Sequence, residues 1–342
     1  MTVDAVVDAA ADAVEVNTPV EVPEDEPRLP SLSPSRAADF KTCPLLYRFR
    51  TVDRLPERPT PDQARGTLVH AVLEKLFDLP AEERTPRAAA DLVAPQWERL
   101  VEEHPELTDL FTAAPGAADP AAPAGTVASA GTVAPEGTVA PAGSPVEPEL
   151  ADPAGFLESA RGLLGGYFAV EDPRRLEPSE RECLVEAVVD EQLTIRGYVD
   201  RLDISPSGDL RVVDYKTGGA PREAFEARAL FQLKFYALVL WRTRGVIPRV
   251  LRLLYLRDAE ACDYTPDAEE LTRFERNLMA LWRAIEQATE RRDFRPKPSR
   301  LCGWCAHQAL CPAYGGTPPP YPERPAVADP HVGAPPDDDQ LS

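Results

Sequence analysis

Val213-Asp214-Tyr215-Lys216-Thr217-Gly218 is the stretch on which the reading of this chain turns. Side chains alternate along a strand, so Asp214 and Lys216, two residues apart, share one face. Val212 and Val213 lead into them as buried strand residues would. Upstream, residues 193–203 (LTIRGYVDRLD) carry a similar mix of β-branched and apolar residues, and Pro206, Ser207, Gly208 and Asp209 lie between the two segments. That pattern predicts two antiparallel strands joined by a short turn. The hairpin brings Asp200 close to Asp214.

Two carboxylates and a lysine on neighbouring strands are a constellation with chemical content. Paired carboxylates can hold one or two hard divalent ions, which polarise a phosphoryl group and supply a hydroxide nucleophile. A lysine beside them can orient or deprotonate water, or stabilise developing charge. Lys216 is one of only five lysines in a chain that otherwise uses arginine for its positive charge. Taken alone, an Asp-x-Lys triplet is also what a solvated hairpin carries. Its neighbours in the sequence decide between the two.

Gly66-Thr67-Leu68-Val69-His70 opens an apolar run to Leu79 with helical spacing at Val69, Val72, Leu73, Leu76 and Phe77. Gly66 would allow close backbone approach at the helix start, and His70 would fall within its first turn or so, within reach of a metal. Downstream, Gln232 and Tyr236 lie four apart in a helix expected over 222–244, on one face, where they would contact DNA or support the lysine. Further strands are expected at 181–189 and 249–257, and helices at 156–170 and 266–292. Glu182 or Glu186 would add a third carboxylate; the sequence does not choose between them.

Six cysteines occur, at 43, 183, 262, 302, 305 and 311. Cys302-Gly303-Trp304-Cys305 followed by Cys311-Pro312 gives C-x2-C-x5-C, a spacing that packing explains poorly. Residues 1–29 are acidic rather than basic and apolar, so no signal peptide is expected, and a reducing cytoplasm favours metal ligation over disulfides. Cys43, followed by proline as Cys311 is, is the best fourth ligand. Cys183 is expected inside a strand and Cys262 in a loop, both as inert thiols. Four cysteines suit zinc or an iron–sulfur cluster alike.

The ordered set Gly66-x-x-x-His70, Gly197-x-x-Asp200-Arg201, Asp214-Tyr215-Lys216-Thr217-Gly218 and Gln232-x-x-x-Tyr236 resembles the RecB-type branch of the PD-(D/E)XK nuclease superfamily. The resemblance implies an α/β fold, a restriction-endonuclease-like mixed sheet flanked by helices in α-β-β-β-α-β order. The element order read from 156 to 292 agrees with it. It also implies His70, Asp200, Asp214 and the Tyr215 backbone carbonyl as ligands of Mg2+ or Mn2+, Lys216 as the catalytic lysine, and Gln232 and Tyr236 as an accessory motif. One cysteine near the N-terminus with C-x2-C-x5-C after the core is similar to the iron–sulfur exonucleases, including the AddB-type and CRISPR-adaptation nucleases. That implies a [4Fe–4S] cluster on Cys43, Cys302, Cys305 and Cys311, with Zn2+ as the alternative. Ligation would close a very long loop.

Composition sets the organisation. Residues 1–29, 114–155 and 322–342 together carry −16 of the formal charge of −20, which leaves a body of only about −4. The middle segment is dominated by Ala, Pro and Gly and repeats Gly-Thr-Val-Ala from Gly125, Gly131 and Gly137. All three read as disordered. The organisation is then a nuclease domain over 30–321, with a small helical subdomain at 81–113 over the cleft, an inserted linker at 114–155 and the cysteine motif at 299–315. Arg48, Arg50 and Arg54, and Arg291, Arg292, Arg295, Lys297 and Arg300, flank the cysteines and are read as phosphate contacts. No apolar run is long enough to span a membrane, and no G-x-x-x-x-G-K-[ST] loop is present. The expectation is a cytoplasmic, metal-dependent DNA exonuclease acting on single-stranded ends in repair or recombination, with unwinding left to a helicase partner. A CRISPR-adaptation nuclease, a non-catalytic iron–sulfur DNA-binding module and a zinc-stapled nuclease are the alternatives.

Overall fold

The computed structural model describes residues 29–111, 152–220 and 226–323, with backbone alone at 226–228. The acidic N-terminal stretch, most of the Ala/Pro/Gly insertion and most of the acidic tail lie outside the described residues.

Thr60 starts the first long helix with a capping box, its side chain accepting from the Gln63 amide while Gln63 caps back, and Pro61 occupies the first turn. This helix, α3 (Pro61–Leu76), follows β1 (Ser31–Leu32), α1 (Pro34–Thr42) and the one-turn α2 (Pro44–Tyr47). The cap lies upstream of the apolar run, so His70 sits well inside the helix rather than in its first turn, and the helix ends at Leu76 rather than Leu79. Gly66 is likewise an interior, buried position. Next come α4 (Pro86–Glu103) and α5 (Pro153–Val170). Asp152 caps α5 by accepting from the Ala154 and Gly155 amides, so the last residues of the expected linker belong to this helix.

Strands β2 (Glu180–Val189), β3 (Leu193–Ile204) and β4 (Leu210–Lys216) form an antiparallel run. Between β3 and β4 the chain turns at Gly208, whose φ of 83° is one that glycine adopts without strain. The crossover helix α6 (Glu226–Arg244) then returns the chain to β5 (Val250–Tyr255), parallel to β4, and β6 (Glu260–Tyr264) adds an antiparallel edge before α7 (Ala268–Arg291). The result is a six-stranded mixed sheet in which β1, β3, β4, β5 and β6 lie in that order and β2 pairs with β3. The expected α-β-β-β-α-β order is what α5 to β5 show. The short strands β1 and β6 were not foreseen, and Cys262 lies on β6 rather than in a loop.

Two core clusters sandwich the sheet. One joins β2, β3, β4 and β5 to α1, α2, α6 and α7; the other joins β4 and β5 to α3, α4 and α5. The helices at 81–111 therefore pack against α3 and α5 through Ala89, Val93 and Leu100. Gly166 explains how α5 comes so near the sheet: a Cβ there would stand 1.8 Å from the Leu256 carbonyl oxygen. Side chains on β3 do not alternate throughout. Val199 and Leu202 both enter the same core cluster, although strict alternation puts residues three apart on opposite faces. The strand switches faces at Asp200–Arg201.

Candidate active site

The face switch places two consecutive charged residues in the interior with different partners. Arg201 is fully buried, pairing with both Glu171 oxygens at 2.8 and 3.1 Å and donating to the Tyr215 hydroxyl at 2.9 Å. Asp200 accepts from the Tyr215 backbone amide at 2.6 Å. Tyr215 is thus held by its ring and its main chain together. Its carbonyl faces His70 Nε2 at 3.0 Å. A carbonyl only accepts, so Nε2 carries the proton and Nδ1 points the other way. There it lies 3.5 Å from Glu182 and 3.6 Å from Asp200, within no hydrogen bond.

Lys216 is fixed from two sides. Its ammonium stands 3.0 Å from Asp214 and donates to Gln232 Oε1 at 2.8 Å. Gln232 in turn donates to the Tyr236 hydroxyl at 3.0 Å. Of the two roles open to Gln232 and Tyr236 in the sequence, support of the lysine is the one made by direct contacts. Gly197 belongs to the same chain of contacts. A Cβ at that position would meet the Tyr236 ring at 2.7 Å, so a larger residue would push away the helix that orients Lys216.

His70, Asp200, Asp214 and Lys216 are each at least nine-tenths buried. Burial raises both carboxyls, to about 6 for Asp200 and about 6 for Asp214, although His70 and Lys216 pull in the opposite direction. For His70, burial acts to lower the value, but Asp200, Glu182 and Asp214 outweigh it and hold the imidazole at about 9. Buried like charges of this kind are costly without a cation between them. Among the described residues, the ligand atoms of His70, Glu182 and Asp200 come within 4.8 Å of one another. An imidazole nitrogen and carboxylate oxygens around one point fit a divalent cation. Glu182, not Glu186, is the glutamate at this site; Glu186 is exposed.

The four cysteines singled out in the sequence also come together. Cys43, Cys302, Cys305 and Cys311 line one cavity of about 220 Å³. Backbone amides of Lys297 and Ser299 donate to the Cys43 and Cys302 sulfurs, each at 3.3 Å. The second of these is the main reason the Cys302 thiol is held below its ordinary value. Cys183 lies on β2 as expected, half-buried, with burial pushing its thiol up to about 12. Protein contacts unite the two ends of the domain around the cavity. His307 meets Glu57 at 2.6 Å, and Arg50 forks onto Glu57 at 2.7 and 2.8 Å while reaching Asp39. Arg48 pairs with Asp53 and donates to the Pro319 carbonyl. Arg48 and Arg50, expected as phosphate contacts, are instead tied to protein partners: their positions near the chain crossing put carboxylates and carbonyls within reach. Arg295 pairs with Asp293, and Lys297 donates to the Lys41 carbonyl.

Sequence reasoning passed over Glu171 and gave Arg201 no role. The run of charges Asp200, Arg201 and Asp203 among apolar residues of one strand was the available signal for a buried ion-pair network.

Gene 69 protein of Mycobacterium phage L5 is 29% identical over 125 residues, which is 36% of this chain and 41% of that protein. The chain therefore matches less than half the length of that relative. The crystal structure of SSO0001 aligns over 48% of this chain and 74% of its own, at 18% identity and a TM-score of 0.31. The family model of the PD-(D/E)XK nuclease superfamily matches residues 31–312, from β1 to the last cysteine. The mixed sheet with its flanking helices is that family's restriction-endonuclease-like fold, and this chain belongs to the PD-(D/E)XK nuclease superfamily.

Proposed function

We propose that this chain is a metal-dependent DNA exonuclease of the RecB-like type, which hydrolyses phosphodiester bonds from single-stranded ends in repair or recombination. The observation that carries the reading is the convergence of His70, Asp200 and Asp214 beside a lysine held by Asp214 and Gln232. A bound Mg2+ or Mn2+ would polarise the scissile phosphoryl group and lower the pKa of water. His70, Asp200, Asp214 and the Tyr215 carbonyl are the groups that would hold it. Asp200 and Asp214 supply the negative charge that attracts the cation. Lys216 keeps its ammonium beside the reacting centre, where it orients the attacking water and stabilises charge on the phosphoryl oxygens. Gln232 and Tyr236 fix the direction of that ammonium, and Arg201 fixes Tyr215. All three act as positioning residues.

The gathering of four thiols in one cavity supports a [4Fe–4S] cluster there, with Zn2+ as the alternative, since four cysteines suit either. Backbone amides donating to the Cys43 and Cys302 sulfurs are the kind of hydrogen bonds that such clusters accept. The cluster would tie residues 43 and 302–311 together as a structural staple.

The test is digestion of end-labelled single- and double-stranded DNA by anaerobically purified protein, with Mg2+ and with Mn2+. The reading predicts metal-dependent release of short products, faster from single strands. No cleavage with either metal would reject it, and cleavage only at internal positions would reject the exonuclease part.

A further inference from the structure

Glu182 has a backbone that its neighbours in the sheet do not share. It lies within β2, yet its φ is +41°, a left-handed conformation that costs a residue with a side chain of this size. Flanking pairs are regular: Arg181 faces Arg201 and Cys183 faces Val199. The distortion is therefore confined to the position opposite Asp200, where β3 switches faces. Local distortions of strands next to active sites re-aim side chains, and strain held by its surroundings is found at functional positions. Here the side chain is turned toward the α3 histidine, with Oε1 3.5 Å from His70 Nδ1 and only 14% of the side chain exposed.

A second observation points to what fills this corner. His70 is 5% exposed, and its Nδ1 makes no hydrogen bond while its Nε2 is occupied by the Tyr215 carbonyl. The nitrogen left to face a ligand is the one aimed at Glu182 and Asp200. Asp214 is turned instead to Lys216. The tightest set of cation-ligating atoms is thus His70, Glu182 and Asp200.

We propose that Glu182 is a direct ligand of the divalent cation, on a position completed by His70 Nδ1 and Asp200. This rests on the metal-dependent reading above and adds to it a third carboxylate, delivered by a left-handed residue in an edge strand. The cation repays the backbone strain by neutralising the carboxylates it gathers.

Binding of Mn2+ to the full chain, followed by the loss of the free-ion paramagnetic resonance signal, tests it. Glu182→Gln should weaken binding by more than about 100-fold, beyond the roughly 10- to 100-fold seen when outer-shell partners of metal ligands are lost. Glu182→Gly should weaken it equally while melting at or above the wild-type temperature without metal, because glycine accepts this φ. The Gly variant keeps the test decisive if the Gln variant folds poorly. Glu186→Gln, on the same strand but outside the site, should bind as wild type does. Wild-type affinity in both Glu182 variants would overturn the proposal and leave the nuclease reading standing. Absence of Mn2+ binding by the wild-type protein would overturn both.

Discussion

The sheet-centred site and the cysteine-lined end are built in opposite ways. At the first, each functional side chain stands on a long buried element: His70 on α3, Asp200 on β3, Asp214 and Lys216 on β4, Gln232 on α6. Its charges are gathered against their own preference, with both aspartate carboxyls raised to about 6. At the second, the four thiols are half-buried and sit beside short turns, and the two chain ends meet through their own ion pairs and ring contacts. Phe294, for example, stacks between Tyr47 and Tyr321. The core pre-forms the first site and places strain in it. The second is held by surface turns and by the contacts between the two chain ends.

The sharpest way to break this contrast is to disarm each end and read both stability and cleavage. Asp214→Asn should lower DNA cleavage by about 10³-fold, as loss of a centre of charge stabilisation does. Its melting temperature should stay within a few degrees of wild type, since the carboxylate it removes is disfavoured by burial. Cys302→Ser should do the reverse: it should lose any visible iron–sulfur absorption and melt roughly 10 °C lower, because a long loop is no longer closed, while retaining Mn2+ binding. Melting curves, absorption spectra and cleavage rates of the two variants check this. Equal stability losses would dissolve the distinction.

A smaller effect sharpens the account of the cysteine end. Burial acts to raise the Glu57 carboxyl, but hydrogen bonds and charge from His307 and Arg50 outweigh it and hold it at about 2, against an ordinary value of 4.5. A depressed acid stabilises the fold above its unfolded value and loses that contribution as pH falls through the folded one. Glu57→Gln should therefore melt a few degrees lower at pH 7, and the gap should close between about pH 4.5 and pH 2. A gap that is constant over this interval would mean that the ionised Glu57 does not hold the two chain ends together.

Much of this was legible in the sequence because it follows from local rules. The strand pair bearing Asp200 and Asp214, the crossover helix with Gln232 and Tyr236, and the element order from α5 to β5 all follow from alternation and helical spacing. The C-x2-C-x5-C cysteines and Cys43 line one cavity. What was not legible depends on long-range packing. The fate of Arg48 and Arg50 is set by carbonyl and carboxylate partners, one of them more than 250 residues away. The choice of Glu182 over Glu186 depends on a single left-handed residue opposite a face switch, and neither feature has a signature in composition or period. The position of His70 shifted because the capping signal at Thr60 and Pro61 was passed over in favour of the apolar run.

The most direct test of the central claim is single-turnover cleavage of end-labelled single-stranded DNA by wild type and Lys216→Ala, with Mn2+ binding measured on the same preparations. The account predicts cleavage by wild type, a loss of about 10²- to 10³-fold in the variant, and Mn2+ affinity close to wild type in both. Undiminished cleavage by Lys216→Ala would remove the lysine, and with it the proposed nuclease centre.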